Sequence, residues 1–329
     1  MSGGLVDPAY LFDYPLSPSV ADYRPAVNAA GTTAIFERTT GGNPTTLYAV
    51  DLGAPGSDAQ PFFQGSPVPT TATRPDWSWT TGQVAFAGNA GGTTFYIGFA
   101  GSDGSNPAFS DAFAGLIYPS YFPDGLNLAT MNQGATALPT PNTTLITVYG
   151  SVGPAAVAGP KWWGGMPSVN PVYPNLIAFA GQPVAPHTTY NQNRNYIWIV
   201  DTNDGSVTTL EDGATLPYEA DYQGRAPWWS PDGNWVAFES NRFSPPTSTN
   251  PDGLYSIMLY PYKVGPALQV TDPIYSMNHA KWLPQGFPGF PSANPTLIAC
   301  AWQPSTSGPP ALPYGIATLD VSSFVPTTG

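Results

Sequence analysis

The chain has one cysteine, two histidines and only nine lysines and arginines in 329 residues. Each shortage excludes something. Cys300 has no partner for an intrachain disulfide. It lies in the apolar run Leu297-Ile298-Ala299-Cys300-Ala301-Trp302 and reads as a small buried hydrophobe rather than a nucleophile. His187 and His279 are too few for a transition-metal centre without carboxylate help. A Gly-x-Ser-x-Gly elbow, a Gly-Lys-Ser/Thr phosphate loop and a His-Glu-x-x-His helix are all missing. No catalytic residue is assigned, and the expectation leans away from an enzyme. The nine cations are scattered singly through a chain of net charge −12, whereas a surface that tracks phosphates needs them clustered. Neither nucleic acid nor an anionic membrane is expected as a partner.

Charge of either sign is scarce, at 9% of residues. Charge-poor surfaces lose little on desolvation, which suits a subunit of a larger assembly. No run of 18 apolar residues occurs, so no membrane-spanning helix is expected. The start, Met1-Ser2-Gly3-Gly4, has no basic and apolar leader pattern. The composition leans toward an exported bacterial protein whose leader is absent from this sequence, the alternative being a cytoplasmic one. Long helices are not expected either, because 40 prolines and 35 glycines interrupt the chain.

What the chain does have is a repeat. Its clearest copy is Arg225-Ala226-Pro227-Trp228-Trp229-Ser230-Pro231-Asp232-Gly233-Asn234-Trp235-Val236-Ala237-Phe238-Glu239-Ser240. A short strand enters a Ser-Pro-Asp-Gly turn, in which proline presets φ and glycine takes the positive-φ place. A second, apolar strand follows. Worn copies begin near residues 23, 73, 117, 165 and 278. A β-rich third strand follows each, such as Tyr196-Ile197-Trp198-Ile199-Val200-Asp201. Six copies, spaced roughly 45 to 60 residues apart, predict propeller blades of four antiparallel strands. Ala9-Tyr10-Leu11-Phe12-Asp13-Tyr14 precedes the first copy and is expected to supply the outer strand of the last blade, closing the ring.

The segment Pro227-Trp228-Trp229-Ser230-Pro231-Asp232-Gly233-Asn234-Trp235-Val236-Ala237-Phe238 resembles the repeat of TolB-type propellers. The other five copies match partially, and together they span nearly the whole chain. The resemblance implies an all-β, six-bladed propeller over residues 1–329 as a single domain. It does not extend to the amino-terminal domain of TolB proper. Family members include binding modules, peptidase propellers and sugar lyases, so the fold alone assigns no activity. The lyases hold a metal with more histidines than this chain has.

One aromatic or apolar slot recurs as Val27, Trp77, Tyr121, Val169, Trp229 and Trp282, and is expected to pack blade on blade. The position before the repeat proline falls near the innermost strand and holds Arg24, Arg74, Tyr118, Met166, Ala226 and His279, with Arg225 and Asn278 one step earlier. Cations gathered around one axis would bind a carboxylate, a phosphate or a hydrogen-bonding sugar. Alternatively each arginine pairs with a nearby carboxylate, such as Asp22 or Asp76, and ties blades together. Trp162-Trp163 is a second candidate, one indole facing the core and the other free to stack on a sugar face. The polar insert 182–195, with His187, ranks third. Asp201-Thr202-Asn203-Asp204-Gly205 hints at a calcium loop but lacks the full spacing and the terminal Glu, so a turn is the better reading. No cofactor or metal is expected. The leading expectation is a non-enzymatic binding or scaffold propeller that recognises a protein segment or glycan at the channel mouth or on blade-top loops. The alternative is a polysaccharide-active lyase or hydrolase with a metal- or carboxylate-based site.

Overall fold

The structure, a computed structural model, describes residues 4–12, 19–41, 43–54, 57–65, 68–89, 91–132, 146–149, 155–156, 162–183, 194–210, 222–244, 253–287, 293–303 and 312–326. All its regular elements are strands. No helix among the described residues is long and apolar enough to cross a membrane.

After β1 (Ala9–Tyr10), the chain lays down sheets in sequence. The first contains β2 (Val20–Val27), β3 (Thr33–Thr40), β4 (Thr46–Asp51) and β5 (Gln60–Pro61). The second contains β6 (Thr71–Trp77), β7 (Val84–Asn89), β8 (Tyr96–Ala100) and β9 (Ala108–Ala114). The third contains β10 (Leu116–Tyr121), β11 (Leu128–Asn132), β12 (Ile146–Tyr149) and β13 (Ala155–Ala156). The fourth contains β14 (Trp162–Val169), β15 (Leu176–Pro183), β16 (Tyr196–Asp201) and β17 (Val207–Thr209). The fifth contains β18 (Gly224–Trp229), β19 (Trp235–Ser240), β20 (Ser256–Pro261) and β21 (Leu268–Gln269). The last contains β22 (Ser276–Trp282), β23 (Thr296–Gln303) and β24 (Leu312–Asp320), completed by β1. Every paired register within these sheets is antiparallel.

The first strands of the sheets touch in the order β2, β6, β10, β14, β18, β22, and β22 returns to β2. That closed circuit makes the fold a propeller of four-stranded blades. Ala9 and Tyr10 pair with Thr318 and Ala317, so the amino-terminal strand supplies the outer edge of the carboxy-terminal blade. Pairing both ends of the chain in one sheet removes a seam that would otherwise be held by side chains alone.

The hydrophobic cores lie between blades. Val27, Ala34 and Phe36 pack on Ile298, Cys300 and Ile316 of the neighbouring blade. Ala237, Ile257 and Leu259 pack on Trp282, Leu297 and Leu319. Phe36, Phe86, Phe179 and Phe238 occupy the same place on their second strands, and each is fully buried. Such burial contributes ~1.5–3 kcal/mol per ring. Ala299 fills the matching place in the last blade, and Cys300, one residue on and level with Glu37 and Glu239, is equally buried. Gly233 takes φ +70° in its turn, where a Cβ would sit 2.6 Å from Asn170 Oδ1 of the adjacent blade. The turn glycine thus permits both the bend and the close approach of the next blade.

Candidate functional site

Each inner strand carries the same irregularity. The register of β2 on β3 shifts between Tyr23 and Ala26, and equivalent shifts occur on β6, β10, β14, β18 and β22. At each shift one non-glycine residue adopts positive φ: Arg24 (45°), Arg74 (52°), Tyr118 (54°), Met166 (53°), Ala226 (47°) and His279 (53°). In five of the six a proline follows, at 25, 75, 119, 167 and 227. Proline has no N–H to give to the sheet, so a bulge is where it fits. It also bars the preceding residue from the right-handed helical region. A left-handed residue with a side chain costs ~1–2 kcal/mol, and bulges of this kind re-aim side chains.

Here they aim at the axis. Arg24, Arg74, Tyr118, Met166, Ala226 and His279 line one cavity of about 50 Å³. Trp228 and Lys281 also line it. By size this space holds roughly three or four waters, or one small ionic group.

Carboxylates from the second strands hold the ring together. Glu37 accepts from Arg24 Nη1 at 2.8 Å and from the backbone N–H of Arg74 on the next blade. Glu239 accepts from Arg225 Nε at 2.7 Å and from the backbone N–H of His279 at 2.6 Å, again on the next blade. Both carboxylates are buried. Burial opposes the charges of Arg24 and Arg225, but Glu37 and Glu239 outweigh it and hold both guanidinium pKa values above their ordinary range. One step along the strands, Asp76 accepts from Tyr121 N at 2.8 Å, Ser120 from Val169 N at 3.1 Å and Ser168 from Trp229 N at 3.1 Å. The bulge geometry is therefore fixed by side chains from the preceding blade.

Lys281 forms a floor. Its ammonium donates to Pro75 O at 2.9 Å and to Asp76 at 3.1 Å, and sits 3.8 Å from the centre of the Trp228 ring. These contacts carry it past β2, whose residue at this level is the small, fully buried Ala26. Burial lowers the Lys281 pKa, and Asp76 offsets part of that. Beyond this floor lies a second cavity of about 100 Å³, lined by Val27, Trp77, Tyr121, Val169, Trp229 and Trp282 together with the turn residues Trp79, Pro123, Pro171 and Pro231. The recurrent aromatic slot thus packs blades and also walls the far side of the channel. Trp79 is the exposed tryptophan there, at 39%, and its Nε1 donates to Val27 O at 2.8 Å.

Tyr118 and His279 report the field at the axis. Burial would raise the Tyr118 pKa, but Arg74, Arg24 and Arg225 pull it below its usual value. Burial, then Arg24, Arg225, Arg74 and Lys281, push the His279 pKa well below the imidazole norm, so its ring is neutral at pH 7. Arg74 lies over the Tyr118 ring at 4.6 Å and donates to Thr73 Oγ1 at 2.9 Å. No carboxylate pairs with its side chain among the described residues. The Nε atoms of Arg24 and Arg74 are buried without a partner.

Of the sequence candidates, Arg24, Arg74, Tyr118 and His279 meet in the cavity. Arg225 does not line it; its guanidinium lies one step back, 4.3 Å from the centre of the Tyr255 ring. Trp162 and Trp163 lie on β14, paired with Pro183 and Gln182. Their side chains lie outside the described residues, as do His187 and positions 184–193 of the polar insert. The carboxylates are not those expected from proximity in sequence. Asp22 binds Arg38 at 2.7 Å, Asp76 binds Lys281, and Arg24 and Arg225 take Glu37 and Glu239. The segment 201–205 is a turn in which Asp201 Oδ1 accepts from Asn203 N at 2.9 Å. Sequence reasoning missed Lys281, Glu37 and Glu239. A signal for Lys281 was available, because it occupies the slot of Ala26, Asp76, Ser120, Ser168 and Trp228.

No protein family and no curated protein sequence is matched by this chain. Solved structures are matched. TolB from Agrobacterium tumefaciens is 16% identical, over 78% of this chain and 82% of that one, with TM-score 0.59. The fold is TolB-like. The β-propeller domain of the Trilobed protease from Pyrococcus furiosus aligns over 92% of this chain and 82% of its own, at 10% identity and TM-score 0.53. TolB from Acinetobacter baumannii aligns over 78% of this chain and 59% of its own, at 16% identity and TM-score 0.51. At such identities the likeness is one of fold. The TolB-like propeller is an architecture shared by a protease domain, so the site has to speak for the function.

Proposed function

We propose that this protein is a non-enzymatic binding propeller that holds a protein segment or a glycan at the mouth of its central channel, as a component of a larger assembly. The observation that carries this reading is the convergence of Arg24, Arg74, Tyr118 and His279 on one cavity through six strained bulges. Strain repeated at every blade and held by buried hydrogen bonds builds a preorganised surface facing the axis. A preorganised cationic mouth on a protein of net charge −12 selects an acidic or hydrogen-bonding ligand locally while the rest of the surface repels one. The shared TolB-like fold is compatible with this reading.

Peptide and glycan arrays probed with the wild-type protein and with Arg74→Ala test it. The expected result is a defined set of ligands whose binding falls at least tenfold in the variant. Ligands held equally well by both proteins would place binding elsewhere. Light scattering on the isolated chain with and without a captured ligand then reads the assembly state.

A further inference from the structure

We infer that the channel cavity is a seat for one carboxylate group, held by Arg74 and Arg24 above the Lys281 floor. The inference rests on the proposed channel-mouth binding role and names the chemistry that would be recognised there.

Charge decides the class of ligand. Four cations stand at the axis, Arg24, Arg74, Arg225 and Lys281, against three carboxylates, Glu37, Glu239 and Asp76. One positive charge is left, and it belongs to Arg74. A monoanion neutralises the site, whereas a phosphate dianion would leave an excess negative charge in a half-closed channel. Two buried donors, Nε of Arg24 and Nε of Arg74, have no partner, and buried unmatched N–H groups are costly unless a ligand meets them. The neutral His279 ring lines the same cavity and adds no charge to this balance. A cavity of about 50 Å³ has room for a carboxylate group. Planar guanidinium groups match planar carboxylates, with charge-assisted bonds roughly twice as strong as neutral ones. A glycan would therefore enter through a uronic acid or similar carboxylate, and a peptide through its terminus or an acidic side chain.

The test uses the full-length protein and its tryptophan emission, since Trp228 lines the cavity. The probes are sodium acetate, acetamide, sodium chloride and inorganic phosphate, at constant ionic strength. Acetate is expected to saturate in the millimolar range, with acetamide and chloride at least tenfold weaker and phosphate at pH 8 no better than chloride. Arg74→Gln is expected to lose tenfold or more toward acetate while melting within a few degrees of wild type. Triglycine with a free and with an amidated terminus distinguishes the source. Preference for the free form over acetate means a peptide end, and acetate alone means a small free acid. Equal response to acetate and acetamide in the wild-type protein overturns the inference without any variant. Tighter phosphate than acetate binding overturns it too. Acetate binding without any array ligand would remove the macromolecular role and keep the seat. Array ligands that bind while acetate does not would do the reverse.

Discussion

Glu239→Ala is the most informative perturbation of the ring. Glu239 is 1% exposed and serves two neighbours, the Arg225 guanidinium and the His279 backbone N–H of the next blade. Truncation leaves Arg225 with an unpaired charge at a mostly buried position. Breaking a buried pair from one side costs ~3–5 kcal/mol. In a chain this long each kcal/mol moves the midpoint by about 1.5 °C, so a fall of roughly 4–7 °C is expected. The double variant Arg225→Met with Glu239→Met removes both charges and leaves mainly the orphaned His279 N–H, worth ~1–3 kcal/mol. It should therefore melt above the single variant. Glu239 is shielded from solvent but the Arg225 side chain is 28% exposed, so about 0.5 M salt should shrink the difference only in part. Differential scanning calorimetry at pH 7 measures all three proteins. A single variant within 2 °C of wild type, or one that melts together with the double, would refute the view that Glu239 staples blades through charge.

Other consequences follow from the same geometry. Below pH 6.5 an unfolded His279 takes up a proton that the native ring, held neutral by burial and four cations, refuses. The unfolded state then binds more protons, so stability falls with falling pH by up to about 1.4 kcal/mol per unit. His279→Gln should flatten the melting profile between pH 6.5 and 5, and a slope unchanged by the substitution would sink this account. Lys281→Met leaves the buried Asp76 carboxylate without its cation, whereas Lys281→Met with Asp76→Asn does not. The double variant should be the more stable of the two on urea titration, by ~1 kcal/mol or more. Burial pushes the Cys300 thiol up to about 12, so native protein should not react with a maleimide at pH 7 within an hour, and urea-unfolded protein should react at once.

The repeat, the strand order within each blade and the identity of the axial position were legible in the sequence, because all three are local. A proline after a fixed slot, a Pro-Asp-Gly turn and an apolar second strand each act over a few residues. That is why Arg24, Arg74, Tyr118, Met166, Ala226 and His279 align from the sequence alone. Which charge answers which was not legible. Glu37 serves Arg74 across 37 residues, Glu239 serves His279 across 40, and Lys281 reaches Asp76 across 205. The ring brings Lys281 and Asp76 together only by closing on itself, with β22 against β2. Separation along the chain carries no information about distance around a closed ring. The sequence determined that cations would face one axis, and tertiary closure decided that three of the four would be neutralised there and Arg74 would not.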